Sequence, residues 1–265
     1  MTVAFILARA GFQPPGTSDF EWPCLGSPFK VFGLNACINR EVLLIFLTVI
    51  VVLALFWFGF RNPQIVPRGM QNFMEVGLDF VRNEIILPVI GPAGISFLPL
   101  LTTIFFFVFV GNVLGIIPGI QFPANSRSAV TWMLAIVSWV TFNIVGIKQQ
   151  GFGRYVKNML FPPDIPWFLF ILVTPIELVS TQLVRPATLS IRLLANMIAG
   201  HLVLTIFFLG TAYLLQPSIT SLFAVASFAM GTLLVGFELF VAILQAYIFT
   251  ILTAVYIAGA LSPEH

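Results

Sequence analysis

The chain has 265 residues, 59% of them hydrophobic and only 8% charged, with a formal net charge of +2 at pH 7 and a mean hydropathy of +1.03. Soluble domains carry about 25% charged residues, so this composition excludes an ordinary soluble enzyme and defines an integral membrane protein. The small net charge, without any block of Lys or Arg, gives no argument for a nucleic-acid partner, and none is expected.

Residues 1–40 form a mixed, Pro- and Gly-rich segment expected outside the membrane, with Phe12, Phe20, Trp22 and Phe29 suited to an interface. Its apolar start, Thr2–Ala8, has no basic residue before it and is short for a signal peptide, so it reads as a membrane-surface tail. Cys24 and Cys37 both lie in this segment, with no CxxC and no nearby His; a disulfide fits an oxidising compartment, but two free thiols are the simpler reading. Residues 41–265 are expected to form one membrane domain.

The first span is Glu41–Phe60, closed by Trp57 and Arg61 and broken by Asn62-Pro63 and Pro67. Over Arg68–Leu87 the pattern changes. Met70, Phe73, Met74, Phe80, Val81 and Ile85 make an apolar stripe, backed by Arg68, Asn72, Glu75, Asp79 and Arg82. That pattern predicts an amphipathic helix along the membrane surface, or one packed on a partner's stalk. Phe97–Ile117 is the second span, ended by Pro118-Gly119, and Asn112 within it suits a helix–helix hydrogen bond. Val130–Ile147 is the third, followed by a basic loop.

From Trp167 to Leu215 the chain is apolar for about 49 residues, with Pro175 and Pro186 its only strong breakers. As continuous helix it would reach about 73 Å, against a hydrocarbon core of about 30 Å, so it must tilt steeply, bend at Pro186 or re-enter. After Gln216-Pro217-Ser218 the chain returns through Ile219–Leu261. The fold expected is all-α: about five transmembrane helices and one surface helix, with residues 167–261 an overlong, tilted hairpin. The loops holding Arg61, Arg68 and Arg82 and holding Lys148, Arg154 and Lys157 share a side, opposite Arg9, Lys30, Arg40 and Arg127. The positive-inside rule then favours an outside N-terminus and a cytoplasmic C-terminus.

The hairpin carries the chemistry. Glu177, Arg185, Arg192, Asn196 and His201 lie on its first arm, Glu238 and Gln245 on its second. A charge at bilayer depth costs about 2.5–3.5 kcal/mol on insertion scales, so such residues are candidates for function. Arg192 is the sharpest, because it is the only full-time charge between Pro186 and Pro217 and cannot shed its proton. At 100° per residue Thr188, Arg192 and Asn196 form one stripe, and His201 lies on the other side about 13 Å further along. Counting outward from Pro217 gives two polar layers, His201 with Glu238 and Arg192 with Gln245. Taken singly, His201 and Gln245 read as packing hydrogen bonds and Glu238 as a buried neutral acid; taken together they read as a path.

The stretches RLLANMIAGH (192–201) and ELFVAILQAYIF (238–249) resemble subunit a of F-type ATP synthases, and the resemblance runs from the first span to the C-terminus. It implies a proton-translocating stator subunit set against a rotating ring of small hairpin subunits, each with one membrane carboxylate, and held by peripheral-stalk subunits. Arg192 would be the essential arginine facing the ring, with Asn196 and Gln245 as its polar neighbours. His201 and Glu238 would line the half-channel from outside, and Glu177 the half-channel to the inside. The order His then Glu is that of mitochondrial members. A bacterial plasma membrane is the expected location, the mitochondrial inner membrane the alternative. There is no GxxxxGK[ST] motif, so the chain is expected to hold no nucleotide or other cofactor and to be no enzyme by itself. The competing reading is a secondary transporter or antiporter with a midplane site.

Overall fold

A computed structural model describes residues 29–31, 34–36, 40–117, 128–160, 170–215 and 221–261. Cys24, Cys37, the tail 2–8, and the turn expected at Gln216-Pro217-Ser218 lie outside the described residues. A short antiparallel pair, β1 (Phe29–Val31) and β2 (Leu34–Ala36), with Lys30 opposite Asn35, comes first; the composition of residues 1–40 had not suggested it. The remaining elements among the described residues are helices.

Helix α1 is Arg40–Phe60. Helix α2 starts at Met70 after Gly69, whose φ of 60° suits glycine. It runs as Met70–Phe80, a π-helical stretch Val81–Ile86, and Leu87–Val89. A 3-10 turn, Pro92–Phe97, leads into α3 (Leu98–Ile116). Helix α4 is Ser128–Gln150; Gly151, with φ of +81°, breaks the chain into the short α5 (Phe152–Leu160). The sequence alone marks this stretch only as a basic loop. Helix α6 runs continuously through Phe170–Val179, a π stretch Ser180–Val184, and Arg185–Leu214. Helix α7 is Ser221–Leu261.

Among the described residues five helices are long and apolar enough to cross a membrane: Val42–Phe60, Pro92–Ile116, Ser128–Gln150, Leu172–Leu214 and Ser221–Leu261. The amphipathic α2 is not one of them. It buries Met74, Val81, Ile85 and Ile86 against α1, α3 and α7 and leaves Asn72, Asp79 and Arg82 exposed.

Both π stretches have the same cause. Each ends two residues before a proline, Pro88 or Pro186, which has no N–H and whose ring would strike the carbonyl four residues back. Widening the turn relieves that clash: Leu87 N–H bonds Arg82 O and Arg185 N–H bonds Ser180 O, five residues back. The extra residue also shifts the helix phase by about 100°. In α6 this brings Thr181 onto the same buried face as Leu189, Leu193 and Met197. Pro186 thus takes a π turn rather than ending the helix.

Helix α7 is the spine. It packs on α2, α3, α4 and α6, while α1 packs on α2 and α3. Its C-terminal half is buried and small-sided, with Ala242, Ala246, Thr250, Thr253, Ala254 and Ala260 allowing close approach. Phe249 and Ile257 fill the gaps beside Leu101, Phe106 and Val108 of α3. Phe106 lies edge-on to Phe56 of α1 at 5.6 Å and sits over Gly77, where a Cβ would come within 2.5 Å of its ring. The other half of α7 packs on α6 along one side only, and on its open side Leu222, Phe223, Val225, Leu233, Phe237 and Phe240 are all more than half exposed. A helix with one half in a core and the other half apolar and open needs lipid or a partner there.

Candidate functional site

The site is the seam between α6 and α7. Its register follows from three contacts. Ser227 Oγ donates to the Phe207 carbonyl at 2.9 Å, a Cβ on Gly231 would lie 3.5 Å from Phe207 Cβ, and the Glu238 carboxylate lies against Gly200. Continuing one residue per residue from these contacts brings Arg192 level with residues 242–246, the turn that holds Gln245.

Glu238 is the centre. An ideal Cβ on Gly200 would sit 2.5 Å from Glu238 Oε1 and 3.2 Å from its Cδ, so only glycine lets the carboxylate rest against the α6 backbone. Its other oxygen, Oε2, is buried with no hydrogen-bond partner among the described residues. A cavity of about 200 Å³ opens beside it, lined by Asn196, Gly200, Val203, Leu234, Phe237 and Glu238 among others. Asn196 Nδ2 is likewise buried and unsatisfied, as is Nε2 of Gln245, a residue only 5% exposed. Buried polar atoms without partners are rare and costly, and each calls for water or a ligand to complete it. Three lie in one seam, and two of them belong to residues of an otherwise mostly apolar cavity, where a water or other polar group would complete them.

The expected site residues separate along the seam. Asn196 and Glu238 share the cavity; His201 follows Gly200 on α6 and is not among the cavity's lining residues. The His201 carbonyl accepts a hydrogen bond from Thr205 Oγ1 at 2.7 Å. Arg192 and Gln245 share a level without a hydrogen bond between them. Arg192 stands exposed on the face of α6 that carries Thr188, Ile191 and Ala195, opposite the buried Leu189, Leu193 and Met197. Among the described residues it makes no hydrogen bond or ion pair.

Glu177 belongs to a second polar cluster near the other end of the seam. Its Oε1 accepts from Thr181 Oγ1 at 3.1 Å and lies 3.9 Å from Arg185 Nη2. Arg185 lies over the Tyr256 ring at 5.3 Å. Eight residues in an unbroken helix would leave Glu177 and Arg185 about 80° apart; the π turn between them brings them into line. Beside them Gln182 accepts from Trp139 Nε1 at 2.7 Å and donates to Asn143 Oδ1 at 3.3 Å. Asn143 Oδ1 also accepts from the Tyr155 hydroxyl at 2.9 Å, which ties α5 to α4 and α6. Burial pushes the Tyr155 phenol up, with Gln182 and Arg185 working against it, so the hydroxyl keeps its proton at neutral pH and donates. Gly146 makes room for the Tyr155 ring.

Sequence reasoning missed Gly200, Gln182, Asn143 and Tyr155. Glycine is common in membrane helices, so Gly200 carried no signal until its partner was known. Gln182 and Asn143 belong to no motif and carry no charge that would single them out in the sequence.

Fold and site together define a polytopic helical membrane protein with polar groups in the seam between two overlong helices and, on the open face, an arginine that has no counter-charge among the described residues. Residues 42–258 match the family model described as ATP synthase A chain. A protein named ATP synthase subunit a from Frankia alni is 46% identical over 97% of this chain and 89% of its own length. Those of Parafrankia sp. and Rhodococcus erythropolis are 47% and 42% identical, over 96% and 98% of this chain and 86% and 94% of theirs. The chain belongs to the ATP synthase A chain family.

Proposed function

We propose that this chain is the proton-translocating stator subunit of an F-type ATP synthase, with Arg192 facing a ring of carboxylate-bearing hairpin subunits. The observation that carries the reading is Arg192: a permanent cation on an apolar, open helix face with nothing among the described residues to neutralise it. A partner must supply the counter-charge, and it must do so transiently, since a fixed buried pair would need no exposed face. A carboxylate in lipid stays protonated because desolvation raises its pKa, and a nearby cation lowers it. Arg192 would thus strip each ring carboxylate of its proton as it passes and bar direct leakage.

The two polar clusters then serve as entry and exit. The cavity at Asn196, Gly200 and Glu238, with His201 beside it, would admit protons from outside; the cluster of Glu177, Arg185 and Gln182 would release them inside, with Gln245 at the level of Arg192 between the two. With about 41 residues α7 is about 62 Å long, twice the hydrocarbon thickness, and would lie about 60° off the membrane normal if buried throughout. Such a tilt suits a helix wrapped on a curved ring. Residues 41–265 act as one membrane domain with peripheral-stalk subunits as further partners, in a bacterial plasma membrane. The chemistry on ATP belongs to other subunits.

Tagged chain isolated from its membrane in mild detergent should bring down a small hairpin protein with a membrane carboxylate. A chain that is isolated alone and moves an ion by itself would favour the transporter reading instead. The orientation proposed, N-terminus outside and C-terminus cytoplasmic, predicts that cysteines placed at Ser18 and Ser262 react with impermeant reagent from opposite faces. Labelling of both from one face would overturn it.

A further inference from the structure

The loop joining α1 to α2 is held fixed, yet it presents its most apolar residue wholly outward. Ile65 is 103% exposed and Val66 65%, with Arg61 and Arg68 exposed on either side. The loop is not slack. Gln64 N–H donates to Gln71 Oε1 at 3.0 Å, and Gln71 Nε2 donates back to the Gln64 carbonyl at 2.9 Å and to Glu75 Oε1 at 2.7 Å. Gln71 is itself 7% exposed, so a buried side-chain amide is spent on fixing the backbone next to Ile65. A connector that only spans a gap in water needs neither the clamp nor the isoleucine.

What covers that apolar tip follows from where it stands. The candidate span Val42–Phe60 ends one residue before Arg61, so the loop begins where hydrocarbon gives way to headgroups. Trp57 and Phe58, each 65% exposed, lie one turn earlier, as aromatic residues do at that boundary. Beyond the loop, α2 keeps Phe73 and Val76 exposed on one side and Asn72, Asp79 and Arg82 on another. Two arginines beside an exposed aliphatic pair match a lipid surface with anionic phosphates, which bidentate guanidinium groups bind well. We propose that residues 61–69 are a fixed wedge seated in the headgroup layer, with Ile65 and Val66 reaching the acyl boundary and Arg61 and Arg68 holding anionic lipid phosphates. This rests on α1 spanning the bilayer and not on the roles proposed for Arg192 or Glu238.

The test uses the assembled complex, with Cys24 and Cys37 replaced by Ser, and a nitroxide on Ile65→Cys or, for comparison, Asn72→Cys. The vesicles are phosphatidylcholine with and without phosphatidylglycerol. The ratio of collision with oxygen to collision with a water-soluble nickel chelate should be several-fold higher at position 65 than at 72. Adding phosphatidylglycerol should raise it further, and Arg61→Gln with Arg68→Gln should cancel that rise. Gln71→Leu should release the loop and narrow the spectral lines at position 65. Equal ratios at 65 and 72 would show an aqueous loop and overturn the proposal. A position 65 closed to both reagents would show a protein partner and overturn it too. A ratio indifferent to phosphatidylglycerol would overturn the anionic-lipid part.

Discussion

A Gly200→Ala variant should assemble normally and lose proton flow by about 10²-fold, the scale of loss that misplacing a reacting group by about 1 Å brings. Helix propensity argues the other way, since alanine is preferred to glycine inside a helix by about 1 kcal/mol. The added methyl, however, would sit 2.5 Å from Glu238 Oε1, closer than two such atoms can approach. The carboxylate must then swing away from α6 and from the cavity it shares with Asn196. If this crowding is the cause, withdrawing the carboxylate by one methylene relieves it. Gly200→Ala combined with Glu238→Asp should therefore pump faster than Gly200→Ala alone, even though Glu238→Asp by itself is slower than the natural protein. ATP-driven acidification of vesicles, at matched amounts of complex, reads the effect. Normal acidification by Gly200→Ala would show that the Glu238–Gly200 contact has no part in proton flow.

Much of this architecture was legible in the sequence because a bilayer leaves few choices. Long apolar runs must be helices there, so the spans around 41–60, 97–117 and 130–147 were placed to within a few residues. The surface helix expected at 68–87 appears two residues later, at 70–89, because Gly69 rather than Arg68 sets its start. Counting outward from Pro217 set Glu238 level with His201; the structure has it against Gly200, the residue before. What stayed hidden depends on side chains meeting across elements. The Glu177–Arg185 alignment needs a π turn, and a π turn leaves no mark in hydropathy beyond the proline that follows it. Helix α5 was invisible because KQQGFGRYVKN is polar and glycine-bearing; it is held by Tyr155 bonding to Asn143 of the preceding helix. Asn196 looked like a neighbour of Arg192 by stripe, yet it lines the cavity beside Glu238.

The largest effect is expected at Arg192. A cation about 4 Å from a carboxylate at an effective dielectric of about 20 contributes about 4 kcal/mol, which lowers the carboxylate pKa by about three units. On the proposed function, removing it would leave each ring carboxylate protonated as it passes, so Arg192→Ala should abolish proton-driven ATP synthesis. If the two polar clusters are the proposed entry and exit, the same change would also open a direct route between them, so passive proton leak should rise. Arg192→Lys restores a charge of the same sign, yet a desolvated lysine titrates and lacks the planar fork, so it should fail as well. A merely structural arginine would behave otherwise: lysine would serve, and alanine would reduce the amount of assembled complex. Because Arg192 is exposed and makes no hydrogen bond or ion pair among the described residues, its loss should leave folding intact. The decisive measurement is ATP synthesis and passive proton flux, side by side, in vesicles holding equal amounts of assembled natural, Arg192→Ala and Arg192→Lys complex. The account predicts no synthesis and raised leak in Arg192→Ala, with no rescue of synthesis by lysine; normal synthesis in Arg192→Ala vesicles would contradict it.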